Sequence, residues 1–139
     1  MSLSEQQRKF TYHVACLIHH AYDVCGIELT LGEAHRTKSQ IFLNYFGYRI
    51  QRGGVLGIKL VKHRRLSKTL KSLHADRLAI DFNFFVDGKY IEKDTFTLAK
   101  PLGDYWESLD PLNTWGGDFN KDDIENGFVD TPHFQRNKL

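Results

Sequence analysis

Four side chains in two short stretches carry the chemistry open to this sequence. His74 and Asp81 lie in Ser72-Leu73-His74-Ala75-Asp76-Arg77-Leu78-Ala79-Ile80-Asp81, and Asp130 and His133 lie in Asp130-Thr131-Pro132-His133-Phe134. Two imidazoles and one carboxylate make up a three-ligand set of the kind a catalytic zinc uses, with the fourth position left to water. A second carboxylate, three residues before a ligand, can handle that water's proton. The reaction such a set proposes is zinc-assisted hydrolysis of an amide bond. Neither His74-x6-Asp81 nor Asp130-x-x-His133 is diagnostic by spacing alone. Seven histidines in 139 residues keep satisfied polar residues as the competing reading, and the helical His-Glu-x-x-His signature is absent.

The elements that must position these groups follow from periodicity. Ser2 with Glu5, or Ser4 with Gln7, offers a capping box to a first helix over residues 4–25, with Phe10, Val14, Leu17, Ile18, Ala21 and Val24 recurring at helical spacing and Gly26 as its stop. Ile27, Leu29 and Leu31 predict a short strand. Thr37 and Gln40 cap a second helix ending near Gly47, and Gly53-Gly54 is a turn. Residues 55–71 are basic and ambiguous, read as a short helix and then a loop. The strongest strand spans residues 78–86, with Ala79, Asp81 and Asn83 on one face and Ile80, Phe82 and Phe84 on the other. Asp87-Gly88 turns it back through Lys89-Tyr90-Ile91. A third helix over residues 96–109 takes Pro101 in its first turn or as a kink. Residues 113–126 read as loop, and a last short strand runs over residues 133–135. Helices segregated from an antiparallel sheet make the fold class α+β.

Bulk properties narrow the function classes. The length suits a single domain, residues 1–139, with a core of its own and no separate wall-binding domain. A net charge of +2 tolerates an anionic partner without demanding one. No stretch reaches the roughly 18–20 apolar residues of a membrane span, and the polar N-terminus does not read as a secretory signal. Cys16 and Cys25, nine residues apart on the first helix, point to opposite sides and read as reduced structural thiols. His13, His19 and His20 read as helix-surface or core-edge residues. Asp118, Asp122, Asp123 and Glu125 do not match an EF-hand loop and read as a solvated acidic loop.

Ser72-x-His74-x4-Ala79-x-Asp81 resembles the Ser-x-His-x-x-Gly-x-Ala-x-Asp signature of the zinc D-Ala-D-Ala carboxypeptidases and L-alanyl-D-glutamate endopeptidases that cut peptidoglycan peptides. The segment Glu33–Gln40 is similar to the Tyr-Arg-Thr/Ser-x-x-x-Gln segment of that family. Trp115-Gly116-Gly117-Asp118-Phe119 resembles its Trp-Gly-Gly-x-Trp/Phe segment, and Asp130-x-x-His133-Phe134 its closing acid-x-x-His-Phe. Arg77 stands where the broader family has Gly, His35 where it has Tyr, and Asp130 where the dipeptidase branch has Glu.

The resemblance implies a DD-peptidase/hedgehog-like fold: a small antiparallel sheet, about three helices packed to one side, and a cleft at the sheet holding one zinc. It implies His74, Asp81 and His133 as ligands and Asp130 as base. Arg36 then stabilises an oxyanion or holds a substrate carboxylate, with a structural salt bridge as the alternative. Ser72, Gln40 and Trp115 are candidate substrate-binding residues, though Ser72 could instead orient the His74 loop and Trp115 could be core. The expected substrate is a peptidoglycan peptide, with L-alanyl-D-glutamate cleavage ahead of D-Ala-D-Ala carboxypeptidase action. The phage-like features predict an endolysin made in the host cytoplasm that acts on the wall after release, and the expected state is a monomer with no specific nucleic-acid partner. The run Lys59, Lys62, His63, Arg64, Arg65, Lys68 and Lys71 supports a competing class, a nucleic-acid-binding module, although aromatic residues for base stacking are missing from it. An inactive relative that keeps zinc as a scaffold is a third reading.

Overall fold

The computed structural model describes residues 1–139. In chain order its elements are α1 (Leu3–His20), β1 (Glu28–Leu31), α2 (Lys38–Phe46), β2 (Tyr48–Arg52), β3 (Ile58–Lys62), β4 (Ala79–Val86), β5 (Lys89–Ile91), α3 (Phe96–Leu109), β6 (Asn113–Trp115) and β7 (His133–Arg136). The period-two pattern of Ile80, Phe82 and Phe84 makes β4 the central strand. Its C-terminal half pairs antiparallel with β1 and β5, its first three residues pair with β7, and β7 in turn carries β6. The hairpin turn after β4 sits where Asp87-Gly88 predicts it, with positive φ at both residues (50° and 72°).

Helices α1 and α3 cover the apolar face of this sheet. Leu17, Ala21, Leu102 and Trp106 pack with Ile80, Phe82, Phe84 and Phe134 in one core. The Trp106 ring meets Phe10 and Phe134 edge-on, at 5.7 and 6.0 Å between centroids, and its Nε1–H donates to the Gln135 carbonyl at 3.0 Å. Full burial of each such side chain contributes about 1.5–3 kcal/mol. The α+β class follows as the sequence predicts. Helix α2 differs from the other two: Ile41 is its one buried residue, and the helix runs through Gly47 directly into the exposed β2.

Local signals are largely met. Ser2 and Glu5 form a reciprocal capping box, α1 ends through a wider π turn at Ala21–Cys25, and Gly26 adopts φ 65° to break it. The Thr37 hydroxyl accepts from the Gln40 N–H at 3.2 Å, but the Gln40 side chain donates to Asn44 instead, so this cap works in one direction. Pro101 lies inside α3, beyond its first turn. Both cysteines are free.

Two expectations are corrected. Residues 55–71 hold no helix; Ile58–Lys62 is β3, paired antiparallel with β2. This hairpin is exposed on both sides, so it lacks the buried face that gives most strands their pattern. Residues 113–115 are strand rather than loop. Three residues are too short to show a period, and only pairing with β7 makes them a strand.

Candidate metal centre and its cleft

Asp81 and His133 face each other across the β4–β7 ladder as direct register partners. Period two sends Ile80 and Phe82 into the core and turns Asp81 outward, beside the small Ala79. His133 Nδ1 lies 3.0 Å from Asp81 Oδ1. His74 Nε2 approaches the same oxygen at 3.5 Å. One donor atom from each of these three residues lies within 4.8 Å of the other two.

His74 arrives from a tight turn outside the sheet. Its carbonyl accepts from Arg77 N–H at 3.3 Å and from Arg36 N–H at 3.2 Å, and Leu78 N–H closes the turn on Leu73. Arg77 holds φ 53° there, the left-handed region that favours glycine, and this is the position where the resembled family has Gly. On the other side of Asp81, the backbone of Gly32 and Glu33 extends the β1 pairing: Gly32 N–H donates to Asp81 O and Asp81 N–H to Glu33 O, at 2.8 and 2.9 Å.

The electrostatics suit a cation. Burial alone pushes the Asp81 carboxyl up, but hydrogen bonds from His133 and His74 hold it well below the usual carboxylate range. Burial alone lowers His133, and the bonds to Asp81 and Gln135 reverse this into a net rise. His133 Nε2 donates to Gln135 Oε1 at 2.8 Å, and the Gln135 amide nitrogen is committed to Asn137. Gln135 Oε1 can only accept, so Nε2 keeps its proton; the Nδ1 proton shared with Asp81 is the one a metal would displace, freeing Nδ1 as the ligand atom. His74 is buried, and its Nδ1 has no hydrogen-bond partner. Two buried imidazoles crowding one carboxylate oxygen form a donor set that fits zinc.

Asp130 stands beside this set on the wall of the same cleft, a cavity of about 980 Å³ that also includes Arg36, Ser72, Phe119 and Phe128. Burial raises the Asp130 carboxyl, against the opposing influence of His133. Its backbone is fixed by Asp130 N–H to Gly116 O at 2.7 Å, and Gly116 N–H donates to His133 O at 2.7 Å. A Cβ at Gly116 would collide with both Asp130 and His133, which explains why that loop needs glycine.

The remaining sequence candidates separate. Arg36 reaches the cleft with its guanidinium forked onto Glu33, Nε to Oε1 at 2.6 Å and NH2 to Oε2 at 3.0 Å. Gln40 does not join the cleft; it is exposed on α2. Trp115 is a correction to the expected cleft wall. Its ring is buried against Phe96, its Nε1–H donates to the Thr131 carbonyl at 2.8 Å, and the backbones of Gly103 and Gly117 press on it where no Cβ fits. The aromatic wall comes from Phe119 and Phe128, stacked at 5.8 Å, with Phe119 also 5.9 Å from the His133 ring. Gln135, which no motif marks in the sequence, also reaches the site, because its place two residues after His133 on one strand puts both on one face.

Features outside the cleft read simply. His13 is held by Asn113, and His20 stacks on Tyr105 at 3.8 Å. Asp118 accepts from the N–H groups of Asp122 and Asp123, so it caps its own loop.

A His–Asp–His set on an α+β scaffold, with the half-buried Asp130 carboxylate on the same cleft wall, has the makings of a hydrolytic metal centre. A sequence model of the family described as D-alanyl-D-alanine carboxypeptidase matches residues 65–136, more than half of the 139-residue chain. The chain belongs to this family of zinc peptidases. Comparison with curated proteins finds no match. Among solved structures, the Serratia marcescens L-Ala D-Glu endopeptidase ChiX is similar in fold, with a TM-score of 0.57, 19% identity, and coverage of 96% of this chain and 84% of that one.

Proposed function

We propose that this chain hydrolyses peptide bonds in peptidoglycan stem peptides, and that the bond it cuts is L-alanyl–D-glutamate. The observation that carries this reading is the convergence of His74, Asp81 and His133 in a cleft whose wall also holds Asp130. Two features favour this bond: the likeness of fold to an L-Ala D-Glu endopeptidase, and Asp rather than Glu before the last histidine. Release of terminal D-alanine is the second reading, supported by the description of the matching family. Arg65, Lys68 and Lys71 on the cleft rim suit a peptide rich in free carboxylates. In this reading the protein is a phage-type endolysin, made in the host cytoplasm and acting on the wall after release.

His74, Asp81 and His133 would hold the zinc. When bound, zinc lowers the pKa of a water to about 7 and polarises a carbonyl. The Asp130 carboxylate takes the proton of the attacking water and delivers it to the leaving amine. Burial suits Asp130 to this exchange, because a carboxyl raised above its usual range gives its proton up less readily to bulk water and returns it to the amine. Arg36, aligned by Glu33, offers its free N–H groups to the developing oxyanion or to a substrate carboxylate. Ser72 stands on the cleft wall as a further contact for the peptide. The Phe119 ring beside His133, with the exposed Phe128 ring stacked on it, gives this side of the cleft an apolar wall.

Mass spectrometry of muropeptides digested with the purified protein tests the reading. Products retaining L-alanine on the muramyl residue, with peptides beginning at D-glutamate, are expected, and chelator should abolish them. Loss of terminal D-alanine alone would move the assignment to the second bond. Unchanged muropeptides in the presence of zinc would sink both.

A further inference from the structure

Charge on this chain is sorted by segment. Between Glu33 and Asp76 there is no Asp or Glu, yet ten of the 19 Lys and Arg residues fall there, so a +10 segment offsets −8 elsewhere to leave +2. The β2–β3 hairpin projects from the middle of that segment. Its register pairs Ile50 with Leu60 and Arg52 with Ile58, which gathers these aliphatic side chains on one face. They lie in the open: Ile50, Ile58 and Leu60 are each at least 60% exposed, and Val55 and Leu56 at the tip are 103% and 89% exposed.

The base of the hairpin is tied to the end of α2, while its tip projects into solvent. His63 N–H donates to the Gly47 carbonyl at 2.7 Å, and Lys62 Nζ donates to the Phe46 carbonyl at 3.0 Å. Gly47 adopts φ 74°, and a Cβ there would strike the His63 backbone. A two-stranded ribbon with no third layer is marginal in water. An apolar tip framed by cations therefore has an unmet partner, and the charge specifies it as anionic.

We propose that the β2–β3 hairpin docks on an anionic phospholipid bilayer. Val55 and Leu56 enter the boundary between headgroups and acyl chains, while Arg49, Arg52, Lys59 and Lys62 meet the phosphates. Penetration stops at that boundary, because the hairpin's two outer edges carry unpaired backbone groups that hydrocarbon cannot satisfy. The aliphatic tip separates this partner from the other polyanions. Val55 and Leu56 offer no ring for single-stranded bases to stack on and no charge or hydrogen-bonding side chain for a phosphate or a sugar, whereas both suit the apolar boundary of a bilayer. Past Lys62 the chain runs on into Arg65, Lys68 and Lys71 on the rim of the cleft, so a docked hairpin sets how the cleft is presented to the membrane surface.

Co-sedimentation of the full chain with vesicles tests the proposal without drawing on hydrolysis. Binding to vesicles of phosphatidylglycerol and phosphatidylcholine is expected to be at least about tenfold tighter than to phosphatidylcholine alone, and to weaken with salt. Val55→Asp/Leu56→Asp should lower binding to the mixed vesicles about tenfold or more, and Arg52→Glu/Lys59→Glu should do the same. Both variants should keep the circular dichroism spectrum, and neither changes a residue of the cleft. Equal binding to both vesicle types, binding unmoved by either variant, or a preference for isolated sacculi or DNA through these side chains would overturn it.

Discussion

Asp81 and His133 are direct cross-strand partners on β4 and β7, with Oδ1 and Nδ1 3.0 Å apart. Two of the three candidate ligands are thus fixed by sheet register, and the third, His74, is brought in by a turn. A one-residue slip of β7 would carry His133 to the core side and destroy the set. The sheet therefore positions two of the donors, and the turns and loops supply His74, Asp130 and the cleft wall.

Asp130→Ala should retain one zinc per chain and the wild-type fold while hydrolysis falls by about 10²–10⁴-fold. Metal analysis beside a muropeptide assay checks both halves. Full activity in this variant would remove Asp130 as the base.

Replacing His74 or His133 by Ala should cost zinc and activity together. Because metal binding adds to folding free energy, the gain in Tm on adding zinc to the metal-free wild type should disappear in both variants. A variant that still gains Tm would show that its histidine is not a ligand.

Zinc affinity should climb with pH. The His133 pKa is raised in the fold, so the stabilisation the metal-free protein draws from a protonated His133 is present at low pH and fades as pH rises through that raised value. Zinc needs the deprotonated ring and competes with this proton. Titration with zinc between about pH 5.5 and 8 should show tightening across the range where histidine ionises; a flat profile would contradict it.

Gly116→Ala should damage the site without altering any reactive group. Its Cβ would overlap Asp130 and His133, and the backbone shift should destabilise the fold by about 1–3 kcal/mol. Activity should fall further than unfolding alone explains. Thermal melts combined with assays well below Tm separate the two.

Arg77→Gly should act in the opposite direction. Arg77 holds φ 53° at the turn carrying His74, at a cost of about 1–2 kcal/mol for a residue with a Cβ. Glycine removes that cost but adds unfolded-state entropy, leaving a net gain of roughly 0.5–1 kcal/mol. A Tm that fails to rise would show that contacts of the Arg77 side chain outweigh the strain.

What the sequence determined by itself is local and chemical. Residue type named His74, Asp81, His133 and Asp130 as groups able to hold a metal and move a proton. Short-range periodicity fixed α1, α3 and β4, because each buries one regular face, and Asp87-Gly88 specified its own turn. Tertiary structure decided the rest, wherever meaning depends on a distant partner. β6 becomes a strand only by pairing with β7, and the β2–β3 hairpin has no buried face to announce it. Trp115 belongs to the core because Gly103, on the neighbouring helix α3, makes room for its ring, and this hands the cleft wall to Phe119 and Phe128. Gln135 matters only once β7 sets its amide against His133. A donor set can be read from residue types, but its geometry is a property of register and packing, which join segments more than 50 residues apart.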